Sequence, residues 1–227
     1  DLADERRQHD DLVELADIAD STTSACVEKA FRWYILAPRL FPRAKFIAKT
    51  DDDTWDNLVL LEAIVTQPPF APRSDGAAHL VYAGWMPLFS HLEKNNRMCG
   101  WGSNSPRSAL DNARLNRTRS DCWYCGRHPM CYHYQPYAPR PLESPIFGPF
   151  PFAVGALQIF SAPLAMQVFT SEWVGAYMRK ASTSQGRGVA AWDKWACAFE
   201  DATVGLAVAR AAGESPVTFV DMLPLIG

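Results

Sequence analysis

Between Glu143 and Glu172 the sequence carries no charged side chain. A run this apolar is either a membrane span or the interior of a folded domain. Pro145, Pro149, Pro151 and Pro163 interrupt it, with Gln158, Ser161 and Gln167 between them. A spanning helix does not carry so many residues that break its hydrogen-bond ladder, so the run reads as buried structure. The pattern predicts a buried strand from Phe152 to Ser161 and a helix from Pro163 to Tyr177.

The rest of the chain supplies partners for that pair. A helix is predicted over Thr22 to Ala37, closed by Pro38, and then a strand over Ala44 to Lys49. A second helix runs from about Trp55 to Thr66, stopped by Pro68 and Pro69. Strand His79 to Ala83, helix Asp201 to Ala212 and strand Val217 to Val220 complete the set, with Ser182 to Gly188 as a polar loop. Strands alternating with helices point to an α/β domain with a parallel or mixed sheet. From about residue 90 to 145 the periodicity dissolves, which reads as a cysteine-rich loop insertion. Hydrophobic residues make up 48% of the 227 and charged residues 21%, so one domain spanning 1–227 can bury a core.

The formal charge is −3, which gives no electrostatic reason to expect nucleic acid as a partner. Any anion must be held locally. The chain opens with the charged run Asp1-Leu2-Ala3-Asp4-Glu5-Arg6-Arg7, so no signal peptide is legible there.

The sharpest chemical feature follows the first strand. Asp51, Asp52 and Asp53 stand in a row at its C-terminal end, where ligands bind in open α/β sheets. Like charges held this close repel unless a cation compensates, and hard oxygen ligands suit Mn²⁺ or Mg²⁺. Asp51 and Asp53 form an Asp-x-Asp pair able to hold a metal that bridges phosphate oxygens. The plainer reading makes Asp53 the N-cap of the next helix and the triplet a favourable charge at its positive end. Two other motifs fail on spacing. An aspartyl-phosphate phosphatase needs Thr where Trp55 stands, and an EF-hand needs Gly where Asp56 stands.

A second acidic pair, Glu200-Asp201, opens the helix of Phe199-Glu200-Asp201-Ala202-Thr203-Val204-Gly205. With it the order of motifs resembles the β-1,3-galactosyltransferase/N-acetylglucosaminyltransferase family, which includes fringe-like enzymes. Ala44 to Asn57 is similar to the family's metal-binding block, and Leu80 to Gly84 to its Tyr-x-Gly strand. Pro151 to Ser161 resembles its acceptor block, and Glu200 to Gly205 its Glu-Asp-Val-x-x-Gly block. Leu157 and Gln158 replace the block's second Gly and a Tyr, and Phe152 replaces another Tyr.

The resemblance implies a GT-A-like fold, a central mixed sheet flanked by helices, with N-terminal strands missing. It also implies an inverting hexosyltransferase using Mn²⁺ (or Mg²⁺) to move galactose or an N-acetylhexosamine from a UDP-sugar to a glycan or glycoprotein acceptor. Asp51 and Asp53 would hold the metal, while Lys49, Asp51, Asp52 and Asp53 would face the diphosphate. Asp201 would be the general base and Glu200 its support. Gly155, Phe152, Trp192 and Trp195 are the candidate substrate contacts. The implied setting is the Golgi lumen, in a longer type II membrane protein whose anchor lies outside this chain. The rival expectation is an inactive carbohydrate-binding or scaffold relative of the same fold.

Cys99, Cys122, Cys125 and Cys131, with His133, could bind zinc or form disulfides; an oxidising lumen favours disulfides. The sequon Asn116-Arg117-Thr118 fits that compartment. Cys26 and Cys197 read as small buried apolar residues.

Overall fold

The computed structural model describes residues 2–9, 12–15, 18, 25–71, 79–92, 97–103, 146–184, 200–213 and 215–222. In chain order these form α1 (Leu2–His9), α2 (Ala25–Leu40), β1 (Phe46–Thr50), α3 (Leu58–Val65), β2 (Val81–Gly84), β3 (Leu88–Leu92) and β4 (Arg97–Ser103). They continue with β5 (Ile146–Pro151), β6 (Leu157–Ser161), α4 (Ala162–Phe169), α5 (Glu172–Ser184), α6 (Glu200–Ala211) and β7 (Thr218–Asp221).

The central sheet has the order β1-β6-β2-β7, with β6 antiparallel to both neighbours and β2 parallel to β7. It is a mixed sheet flanked by helices, and the chain is an α/β protein. Strand alternation splits its side chains between two layers. Ile47, Leu80, Tyr82 and Phe160 face a core built with residues of α2, α4, α5 and α6. Val81, Ala83, Leu157, Ile159 and Val220 face a smaller one, closed by Phe70 and by Leu61, Ile64 and Val65 of α3. Aromatic rings knit the first core: Tyr34 stacks on Phe169 at 4.7 Å and Tyr82 on Phe160 at 4.4 Å. Truncating a ring such as Phe160 would cost roughly 3–5 kcal/mol.

By the same alternation, Lys49 shares the face of Ile47, and Gln158 shares the face of Phe160. Both polar side chains therefore point into the helix-covered layer. They stand opposite one another in the β1–β6 register.

A second sheet, β4-β3-β5, is antiparallel throughout. It corrects the sequence reading: β3 and β4 extend regular structure to Ser103 inside the expected insertion, whose segment 104–145 lies outside the described residues. The strand expected from Phe152 to Ser161 is shorter, because a turn at residues 155 and 156 separates β5 from β6. All five residues of β6 are buried.

Three helix ends differ from expectation. Pro38 lies inside α2 rather than ending it, and the helical bonding continues beyond it with Phe41 N–H on the Ala37 carbonyl. The single helix expected from Pro163 to Tyr177 is two. Thr170 Oγ1 donates back to the Met166 carbonyl at 2.6 Å, and Ser171 Oγ accepts Val174 N–H at 3.3 Å to start α5. Helix α5 then runs to Ser184, into the expected polar loop. Third, α3 begins at Leu58, where Asn57 Oδ1 accepts Leu60 N–H at 3.0 Å. Among the described residues no helix is long and apolar enough to cross a membrane.

Candidate active site

The N-cap of α3 is Asn57, so Asp53 does not cap that helix. The N-cap part of the plainer reading therefore fails. Asp51 to Thr54 instead close a turn off the end of β1, with Thr54 N–H on the Asp51 carbonyl at 3.1 Å. Asp51 is half-buried, whereas Asp52 and Asp53 are exposed.

Helix α6 brings the second acidic pair to the same place, and a missing side chain lets it approach. A Cβ on Gly205 would lie 2.3 Å from Phe152 Cβ and 3.0 Å from the Pro151 carbonyl oxygen. Only glycine lets the helix pack so closely on that segment. The Arg210 guanidinium, 3.6 Å from the centre of the Phe147 ring, anchors the other end of the helix on β5. Phe152, expected to contact substrate, is fully buried beneath α6 with Ala202 and Leu206. Its role is packing, because no part of its ring reaches the surface.

Where β1 ends and α6 begins, Lys49 joins them. Its Nζ lies 2.5 Å from Asp51 Oδ1 and 2.8 Å from Glu200 Oε2. Burial draws the Lys49 ammonium down, but the Glu200 charge and the bonds to Asp51 and Glu200 outweigh it and leave it raised. Burial pushes the Glu200 carboxyl up, and Lys49 only partly restores it. For Asp201 burial dominates again and raises the carboxyl to about 7, despite the backbone N–H groups of Ala202 and Gly155 that stabilise its charge. The Ala202 bond is 2.7 Å long.

Gly155 sits between the two acidic elements. Besides its N–H on Asp201, a Cβ built on it would lie 2.8 Å from Asp51 Oδ2. Of the residues expected from sequence, the structure thus gathers Lys49, Asp51, Gly155, Glu200 and Asp201. Trp192 and Trp195 lie outside the described residues, as do Cys122, Cys125, Cys131 and Cys197. Cys26 is a free thiol on the exposed side of α2, which corrects its expected burial: its neighbours Ala25 and Val27 turn inward instead.

Compared with known proteins, the chain matches no family model, no curated protein and no solved structure. The functional reading therefore rests on the residues themselves.

Two residues escaped the sequence reading. Gln158, fully buried, accepts the Tyr34 hydroxyl at 2.9 Å and donates to the Ala153 carbonyl at 3.2 Å. The Tyr82 hydroxyl accepts Ala153 N–H at 2.8 Å. A glutamine inside an otherwise apolar strand was the visible signal for this network.

Among the described residues no group of three or more His, Cys, Asp or Glu side chains could hold a metal by itself. A Mg²⁺-like ion is commonly held by one or two carboxylates, with phosphate oxygens and water filling the other positions. Asp51 and the exposed Asp53 are oxygen donors of that kind on one tight turn, so their chemistry fits a hard divalent ion.

Proposed function

We propose that this chain is an inverting, metal-dependent hexosyltransferase with a GT-A-like fold. It would move galactose or an N-acetylhexosamine from a UDP-sugar to a hydroxyl of a glycan or glycoprotein acceptor. The reading is supported above all by one arrangement: the Lys49 ammonium ties Asp51, at the end of a strand, to Glu200, beside Asp201 on α6.

An inverting transfer needs a base on one side of the sugar and a place for the departing diphosphate on the other. Asp201 is suited to the first task. A carboxyl raised to about 7 exchanges its proton near neutral pH, where an ordinary carboxylate is a poor base. Asp51 and Asp53 would hold Mn²⁺ or Mg²⁺, which when bound neutralises the charge of the leaving diphosphate. Glu200 and Lys49 keep the two elements together, and Gly155 leaves room for the Asp51 carboxylate. A lumenal setting and a membrane anchor beyond this chain belong to the same proposal.

The second reading is a carbohydrate-binding relative without transfer activity. It is favoured by the state of Asp51, whose two oxygens already face Lys49 and Gly155.

Calorimetric titration of UDP with and without Mn²⁺, on the native chain and on Asp53→Ala, tests the proposal. Metal-dependent binding that the variant loses is expected. Binding indifferent to Mn²⁺ would remove the metal from the proposal and the transferase with it. Asp201→Asn separates the two readings: an enzyme keeps donor binding and loses transfer, whereas a binding protein transfers nothing even in its native form.

A further inference from the structure

The turn that carries Gly155 is held from both sides by side chains outside the acidic cluster. We propose that Gln158 and Tyr82 are positioning residues that clamp the Ala153 peptide and so hold Gly155 between Asp51 and Asp201. The proposal concerns the site described above and rests on reading it as catalytic.

Each group of the Ala153 peptide has one side-chain partner. Its N–H donates to the Tyr82 hydroxyl oxygen at 2.8 Å, and its carbonyl accepts Gln158 Nε2 at 3.2 Å. Gln158 cannot turn over freely, because its Oε1 accepts the Tyr34 hydroxyl at 2.9 Å. All three side chains are fully buried. A buried amide is costly unless bonded, so rotating any member strands polar atoms away from water. Beyond Ala153 the turn closes with Leu157 N–H on the Val154 carbonyl at 3.3 Å, and Thr50 Oγ1 donates to the Ala156 carbonyl at 2.8 Å. Gly155 is thus fixed at both ends of its turn. There its N–H reaches Asp201 and its α-carbon faces the Asp51 carboxylate.

A clamp acting only on the core would alter stability and nothing at the site. A positioning clamp has a signature at Asp201, because losing the Gly155 N–H removes a bond to the charged form. The charged and titratable groups acting on that carboxyl are Glu200 on its own helix, Lys49 on β1 and Tyr82 on β2. Gln158→Met keeps the volume of the side chain but also removes a bond that favours the charged form of Glu200, so Tyr82→Phe, which leaves that bond in place, is the deciding variant.

The test is ¹³C NMR titration of the side-chain carboxyls in the metal-free chain, with the Asp201 signal assigned by its loss in Asp201→Asn. Gln158→Met and Tyr82→Phe are both expected to raise the Asp201 midpoint by roughly half a pH unit or more. Tyr34→Phe, which frees the Gln158 amide, is expected to raise it by less. Should Gln158→Met fail to fold, the two milder variants decide. Midpoints unchanged in folded variants overturn the proposal. The titration needs no donor, acceptor or metal, so a native chain without transfer activity would sink the enzymatic reading while leaving the clamp to stand or fall on its own.

Discussion

Lys49 Nζ lies 2.8 Å from Glu200 Oε2, a contact between residues 151 positions apart. It joins a charge on β1 to a charge on α6, and it decides what happens when that charge is removed. In Lys49→Met two carboxylates keep their places without a cation. Glu200, whose side chain is 14% exposed, suffers most. Because Asp51 is 41% exposed, the cost falls below that of a fully buried pair, at roughly 2 kcal/mol. Urea unfolding at pH 7 measures it. Adding Glu200→Gln should recover part of the loss, and a double variant no better than the single one would show that the two side chains are not coupled.

Two glycines separate packing from site geometry. A Cβ on Gly205 would collide with the Cβ and backbone of Phe152, neither of which can swing aside. Gly205→Ala should therefore destabilise the fold by roughly 3 kcal/mol. A Cβ on Gly155 meets only a carboxylate oxygen, the end of a side chain half exposed to solvent. Gly155→Ala should cost about 1 kcal/mol or less in unfolding and weaken Mn²⁺-dependent UDP binding roughly tenfold by displacing Asp51. Equal effects of the two variants on stability, with UDP binding untouched in Gly155→Ala, would contradict this assignment.

Asp201 gives a pH dependence with a definite sign. Its folded carboxyl titrates at about 7 and its ordinary value is 3.8, so between those limits the folded state holds a proton the unfolded chain has lost. Stability from this group is greatest on the acid side and falls as pH rises through that window, by at most on the order of 4 kcal/mol. Glu200, also raised by burial, acts in the same direction. In metal-free buffer Asp201→Asn should lose less stability than the native chain between pH 5 and 8. Transfer by the native chain should increase as pH rises through about 7, when the base loses its proton. Parallel stability curves would mean that Asp201 is not buried as described.

The chemistry of the site was legible where it is local. Three adjacent Asp after a strand and an acidic pair opening a helix are short motifs, and the structure places Asp51, Glu200 and Asp201 at neighbouring element ends. Partners distant in sequence were not legible. Nothing near Lys49 says that it bridges Asp51 to Glu200 rather than waiting for a diphosphate. Phe152 looked like an aromatic lining, because the close approach of Gly205 is set by packing between α6 and the segment after β5. The strand order and the β3–β4 hairpin depend on pairing across the chain, which apolar periodicity does not encode. Helix ends were misjudged where a side chain decided them, as Asn57 did for α3 and Ser171 for α5.

Asn57 supplies the remaining prediction, which bears on why the triplet exists. If the three Asp served the helix, their loss would weaken α3. The cap bond runs instead from Leu60 N–H to Asn57 Oδ1, four residues beyond Asp53. Asn57→Ala should therefore destabilise the protein by about 1 kcal/mol, the usual cost of a lost N-cap, and leave Mn²⁺-dependent UDP binding intact. Asp53→Ala should do the reverse. Its side chain is exposed, so unfolding should shift by about 0.5 kcal/mol or less, while the metal-dependent binding disappears. Denaturant melts and UDP titrations on the two variants give a crossed pattern if the triplet works for a ligand. A destabilised Asp53→Ala that still binds UDP with Mn²⁺ would return those carboxylates to a structural role.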